Sequence, residues 1–260
     1  MEKKNITLSV ALAVYNEEKN LGRCLDSVAG WVDEVVIVDG GSTDSTRDIA
    51  NKFNAKVIVT DNPPMFHINK QKALEGCTKM WILQLDADEV ISDPLRKEIE
   101  AIIRTKDSNA PVGYFIPRKN FFLGHWLRKG GQYPDYVIRL FRNGSGKFPS
   151  KSVHEQIEIA GDVGYLKEPL LHYTYRTIGE YWKKANAYTQ LTADELRSKQ
   201  TKGFGSYVYF EFIKPSIIFL SLFIRHKGFV DGVYGFLFAI FSALHYPIAY
   251  QKYLRMRHEK

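Results

Sequence analysis

A chain of 260 residues with 45% hydrophobic and 25% charged residues can bury a full core and is too apolar to be a disordered chain. Lys plus Arg number 36 against 29 Asp plus Glu, and the net charge of +7 favours an anionic surface or substrate. Zinc-type cysteine spacing and known nucleic-acid motifs are missing, which sets nucleic acid aside and ranks a membrane surface first; Cys24 and Cys77 are too few for a disulfide framework and fit a reducing cytosol.

The N-terminus is basic, but the apolar run that follows is short and strand-like and lacks a small-residue cleavage site, so no signal peptide is expected. Ile6 to Val14 reads as a buried strand that delivers the polar loop Tyr15, Asn16, Glu17, Glu18. Leu21, Cys24, Leu25 and Val28 recur at helical spacing. A second strand, Glu34 to Val38, ends at Asp39 and runs into GGSTDST. There Gly40 and Gly41 permit a tight turn, and Ser42, Thr43 and Asp44 are candidate N-caps for a helix from Ser45 to Phe53. A strand at Lys56 to Thr60 and a helix at Ile68 to Cys77 lead into the apolar strand Trp81 to Leu85. That strand ends in three carboxylates, Asp86, Asp88 and Glu89. Strand alternating with helix predicts an α/β fold with a mostly parallel, doubly wound sheet and helices on both faces. Glu17, Asp39 and Asp86 to Glu89 then meet at one crevice beyond the carboxyl ends of the strands. Aspartates at i and i+2 suit a hard divalent cation shared with phosphate oxygens; the competing reading is that the acids cap the next helix, a role Asp93 before Pro94 also fits.

From Gly113 the pattern changes to short strands, glycine turns and many aromatics, a mixed-sheet extension. Tyr136 to Phe141 alternates as a strand with Arg139 on one face and Arg142 just past its end. Both arginines are candidates for diphosphate or an anionic acceptor, with a surface strand arginine as the alternative. Trp126 and Tyr133, flanked by glycines, could form a sugar-stacking lip or pack in the core. Val153 to Ile159 carries His154 and Glu155, and His172 lies near a strand end, either completing a metal shell or serving structure. Ile178 to Lys199 reads as one long helix. Beyond Phe204 the chain is aromatic and aliphatic, broken at Glu211, Lys214 and Pro215, nearly charge-free from Gly232 to Ala249, and basic at its end. Helices lying in a membrane interface are expected rather than a span, with packing on a soluble catalytic domain as the alternative. The divisions expected are 1–112, 113–176 and 177–260.

VYNEE, VDGGSTDST and LDADE, in that order at successive strand ends, resemble glycosyltransferase family 2, the nucleotide-sugar transferases of GT-A fold. The resemblance implies that Asp39 hydrogen-bonds the uracil of a UDP-sugar. Ala13, Val14, Tyr15 and Glu17 would line the nucleotide pocket, and Asp86 and Ala87 would face the ribose or sugar. Asp88 would act in catalysis by ligating Mg²⁺ or Mn²⁺ on the diphosphate. Lys70 would be a second cation on phosphate or an anchor for the acids. Glu155 would be the catalytic base of an inverting transfer, with His154 beside metal or phosphate, and Trp126, Arg139 and Arg142 would face acceptor or phosphate. RLFR, HE and PLLHYTYR further resemble the branch that adds a β-1,4-linked glucose to the lipopolysaccharide core. That implies transfer of a hexose, glucose from UDP-glucose, to an anionic membrane glycolipid. The enzyme would work on the cytoplasmic face of the inner membrane, as a peripheral or monotopic protein. A polyprenyl-phosphate acceptor, or a non-catalytic nucleotide-sugar sensor at the membrane, are the alternatives.

Overall fold

Runs rich in Val, Ile and Leu pair side by side into the parallel half of one sheet, in a computed structural model that describes residues 7–258 except 64, 106, 108, 150–155, 200 and 202. The strands are β1 (Leu8–Val14), β2 (Glu34–Asp39), β3 (Lys56–Val59) and β4 (Trp81–Gln84). Val14 stands opposite Asp39 and Asp39 opposite Val59, so the loops carrying the sequence motifs leave the sheet side by side. Alternate residues face opposite sides. Leu8, Val10 and Leu12 pack with Leu21, Cys24, Ala50, Leu95 and Ile99, which come from α1 (Leu21–Asp26), α2 (Thr46–Lys52) and α4 (Asp93–Ile103). Ala11, Val36, Val38 and Ile82 pack with Ala73 and Leu74 of α3 (His67–Glu75) on the other side. Both sheet faces are covered, as continuous apolar strands demand.

Three later strands turn the sheet mixed: β6 (Gly113–Phe122), β8 (Asp135–Arg142) and β12 (Leu170–Tyr175). The order is β3-β2-β1-β4-β8-β6-β12-β5, where β5 is Glu89–Val90. β8 runs antiparallel to β4 with Leu83 opposite Leu140 and Trp81 opposite Arg142, and β12 brings His172 opposite Glu89. The N-cap of α4 is Ser92, which accepts from Leu95 N at 3.4 Å. Asp93, expected as the cap, sits one position inside, where its charge meets the positive end of the helix dipole.

The chain divides into two compact units, one made of the residues up to Arg118 with Tyr136–His172, the other of Lys119–Asp135 with Tyr173–Lys260. The second unit holds β7 (His125–Trp126), α5 (Ile178–Ser198) and two long apolar helices, Phe204–Arg225 and Gly232–His258. Thr177 caps α5 by accepting from Glu180 N, and the Glu180 carboxylate accepts in return from Arg176 N at 2.9 Å. The polar interruption at Glu211, Lys214 and Pro215 falls inside a continuous helical run. A wide π-type turn at Tyr209–Ile213 leads into Lys214–Leu220, where Pro215 sits in the first turn, and a second follows at Ser221–Arg225, so the helix continues through the proline.

Candidate active site

The two loops after β1 and β2 are stitched together by their polar residues. Ser42 Oγ accepts from Asn16 N at 2.9 Å, the Asn16 side chain accepts from Thr43 N at 2.9 Å, and Thr46 Oγ1 accepts from Glu17 N at 2.8 Å. Of the three expected caps for α2, only Asp44 works locally, accepting from Thr46 N at 3.0 Å; Ser42 and Thr43 tie loop to loop instead. Gly41 carries the turn at φ +81°, which a side chain would strain. Asp39, fully buried, accepts from Ser42 N at 3.2 Å and lies 3.5 Å from Arg47 Nε, so its carboxylate fixes the turn. Val14 O accepts from Gly40 N at 2.9 Å, half-buried Ala13 precedes it, and Tyr15 is exposed at the loop's start. The Glu17 side chain accepts from Asn20 Nδ2 at 2.7 Å.

At the end of β4 the three carboxylates part company. Asp86 is held by Lys70 Nζ at 2.5 Å and by Arg139 Nη2 at 2.6 Å. Glu89, fully buried, takes Arg139 Nη2 at 2.7 Å, has Arg118 Nη1 at 3.7 Å, and accepts from Asp86 N at 2.9 Å. Arg139 Nη1 also donates to Gln84. Burial alone would raise the Asp86 carboxyl, but Arg139 and then Lys70 outweigh it and hold the group well below the usual carboxylate range. The same acids push the Arg139 guanidinium up against the opposing effect of its burial. Lys70 thus anchors an acid. Arg139 is not a surface arginine: it is 6% exposed, and of its three guanidinium nitrogens Nη1 and Nη2 are hydrogen-bonded while Nε is buried without a hydrogen-bond partner.

Asp88 Oδ1 lies 3.5 Å from Nε2 of His172 on β12. Two ligands of one cation at about 2.1 Å and at right angles would stand about 3 Å apart, so this pair fits a shared divalent ion of the Mg²⁺ or Mn²⁺ kind. Among the described residues no cluster of three or more His, Cys, Asp or Glu side chains forms a complete protein cage. Ala87, between the two aspartates, is buried.

Beside Asp86 lies a cleft of about 230 Å³ whose lining includes His67, Lys70, Arg118, Arg139 and Phe148. Its cations outnumber its acids, a lining suited to phosphate groups. Arg118, Gln84 and His67 escaped the sequence reading. A lone amide inside an otherwise apolar strand, immediately before the acid motif, was the signal available for Gln84. Arg142 is corrected outright as a phosphate or acceptor contact. Opposite Trp81 it stands at the amino end of β4, away from Asp86, with its guanidinium 5.4 Å from the Trp81 ring. Trp126 belongs to the second unit, with Lys119 Nζ 4.5 Å and the Arg128 guanidinium 5.3 Å from its ring and Tyr133 edge-on at 5.3 Å. His154 and Glu155 lie outside the described residues.

Acids gathered at the carboxyl ends of the strands beside a cation-lined cleft are the outfit of a nucleotide-sugar transferase of GT-A fold. The family model "Glycosyl transferase family 2" matches residues 9–172, and the chain belongs to that family. It is 31% identical, over 92% of its length and 91% of the relative's, to the lipopolysaccharide core biosynthesis glycosyltransferase LpsC of Rhizobium meliloti. It is 29% identical to an uncharacterized glycosyltransferase of Rickettsia typhi, over 91% of this chain and 85% of that one. Among solved structures, Staphylococcus aureus TarS 1-349 in complex with UDP-GlcNAc aligns with a TM-score of 0.48 and 18% identity, over 90% of this chain and 79% of that one. The protein is a glycosyltransferase, and its apolar helices are compatible with membrane association.

Proposed function

We propose that this glycosyltransferase moves a hexose, glucose from UDP-glucose, with inversion onto an anionic membrane glycolipid such as the lipopolysaccharide inner core, at the cytoplasmic face of the inner membrane. The observation that carries the reading is the division of labour at the end of β4. Asp86 and Glu89 are neutralised by Lys70, Arg118 and Arg139, while Asp88 faces His172. The acceptor class is supported by the 31% identity to a protein named for lipopolysaccharide core biosynthesis, and by a net charge of +7 that suits anionic glycolipid.

Asp88 and His172 would hold the divalent cation, which when bound neutralises the charge developing on the diphosphate leaving group. Asp39 and the main chain of Ala13 to Tyr15, with Glu17, receive the uridine. Asp86 and the main chain at Ala87 orient ribose and sugar, and Lys70, already on Asp86, adds a positive charge beside the phosphates. Arg139 acts from behind, fixing Asp86 and Glu89 so that the end of β4 holds one conformation. Glu155 takes the proton from the acceptor hydroxyl as that oxygen attacks the anomeric carbon opposite the diphosphate, which leaves with the bonding pair. Attack and departure on opposite faces invert the centre.

The test is sugar consumption and transfer across a panel of UDP- and GDP-sugars, with Mg²⁺, Mn²⁺ or EDTA and a membrane glycolipid extract. One UDP-sugar should be consumed in a metal-dependent way. Asp88→Asn should lower turnover by roughly 10²–10³-fold, and Glu155→Gln by roughly 10²–10⁴-fold with donor binding retained. Donor binding with no turnover under any condition would instead favour a sensor.

A further inference from the structure

The helix Phe204–Arg225 carries Ile213, Ile217, Leu220 and Ile224 at spacings of four, three and four, one continuous stripe, and each is about half exposed. Its charges turn off that stripe: Glu211 accepts from Gln251 at 2.5 Å and Lys214 Nζ sits 5.1 Å from the Tyr246 ring, both partners on the helix Gly232–His258. The two helices close into a hairpin, with Phe219 and Phe223 against Phe236, and Gly235 lies so near Gly228 O of the connecting turn Gly228–Asp231 that a Cβ would lie 1.9 Å from it.

By length and composition either helix could cross a membrane. The packing of the second one argues against it. α5 lies along it, with Trp182 on Phe241 at 5.2 Å, Thr192 Oγ1 to His245 Nε2 at 2.9 Å, Lys252 Nζ to Asn186 Oδ1 at 2.7 Å, and Ala193 and Leu196 against Tyr250 and Tyr253. α5 bears Lys183, Lys184, Asp194, Glu195 and Arg197. A crossing hairpin would drag these charges into hydrocarbon, which strongly disfavours them.

The tip of the hairpin is basic. Arg225, His226 and Lys227 are exposed around a left-handed turn at Lys227. The segment 125–131 is fastened to this tip: Gly130 N donates to His226 O at 2.9 Å, and buried Asp231 accepts from Arg128 N at 3.1 Å and Lys129 N at 2.9 Å, with His125 Nε2 at 3.2 Å. The one acid at the tip is therefore turned to the main chain, while exposed Arg128 and Lys129 join Arg225 and Lys227 next to exposed Phe229 and Val230.

We infer that the hairpin lies in the plane of a single anionic leaflet, its stripe immersed among the acyl chains and its basic tip on lipid headgroup phosphates, and that it does not cross the bilayer. An apolar face bordered by cations is the physical signature of a helix held at an anionic interface. The inference takes from the proposed function only that a membrane is the place of work; neither donor nor acceptor enters it.

The full chain is tested by co-sedimentation with phosphatidylcholine vesicles, with and without phosphatidylglycerol. Binding should require phosphatidylglycerol, and Arg225→Glu with Lys227→Glu should weaken it by roughly thirtyfold or more. Topology is read with a membrane-impermeant maleimide on Lys227→Cys and Lys52→Cys in inverted membrane vesicles, where native Cys24 and Cys77 are too buried to interfere. Both introduced thiols should label without detergent. Labelling of Lys52→Cys alone until detergent is added, or binding indifferent to phosphatidylglycerol, overturns the in-plane hairpin. Failure to bind either vesicle overturns it together with the membrane acceptor, whereas acceptor-free consumption of donor, measured in parallel, reports only on the transfer reading.

Discussion

At the end of β4, Glu89 and Arg139 are charged yet only 0% and 6% exposed, whereas on the helix Phe204–Arg225 the apolar side chains Ile217 and Leu220 are 51% and 55% exposed. Water prefers the opposite arrangement in both places. In the first region charge is kept out of water because each group is paired, which fixes a conformation at some cost in stability. In the second, apolar surface is left in contact with solvent, which is stable only where another apolar phase covers it. One region gives up folding energy to hold a single conformation, and the other leaves apolar surface uncovered by the folded chain.

The comparison predicts unlike responses to substitution. Arg139→Met keeps much of the volume but strands Glu89 and Asp86, and should destabilise the fold by about 3–5 kcal/mol in urea unfolding. Adding Glu89→Gln should recover part of that loss, because the stranded charge is then removed. A cost below about 1 kcal/mol for the single change would mean that the network is not a buried ion cluster. Next in size is Gly235→Ala in the hairpin, where the added Cβ would meet Gly228 O at 1.9 Å. The connecting turn Gly228–Asp231 must shift, at about 1–3 kcal/mol in thermal unfolding in detergent. An unchanged midpoint would show that the hairpin has slack.

The parallel half of the fold was legible because buried strands read as unbroken apolar runs, and Val14, Asp39 and Gln84 end them within a residue or two of where the runs stop. The motif loops were legible as chemistry but not as partners: nothing local says that Ser42 and Thr43 bond to Asn16 rather than cap α2. Long-range pairing was the larger loss. Arg139 meets Gln84 across 55 positions of sequence only because β8 returns antiparallel to β4. That same reversal carries Arg142 to the amino end of β4, opposite Trp81.

Two smaller effects sharpen the contrast. Burial alone would raise the Glu34 carboxyl, but hydrogen bonds from Ser9 and Thr78 outweigh it and hold the group below the ordinary glutamate range. A depressed folded pKa contributes stability that is present above the unfolded value of about 4.3 and lost as pH falls through the folded one. Glu34→Gln should therefore cost about 0.5–1.5 kcal/mol near neutral pH, by urea unfolding, and that difference should shrink below about pH 4. A cost that does not change with pH would mean that the hydrogen bonds do not distinguish the charged form.

The smallest effect is the most telling for the hairpin. Leu12 is fully buried, so Leu12→Ala should open a cavity and cost about 2–5 kcal/mol. Leu220, 55% exposed, leaves no cavity on truncation and gives up only contact with solvent or detergent, so Leu220→Ala should stay within about 0.5 kcal/mol of the parent in detergent. The same truncation removes apolar area from the stripe, and vesicle binding should weaken although folding does not. If Leu220→Ala cost as much as Leu12→Ala, the stripe would be packed within the folded chain, and the two regions would no longer differ in kind.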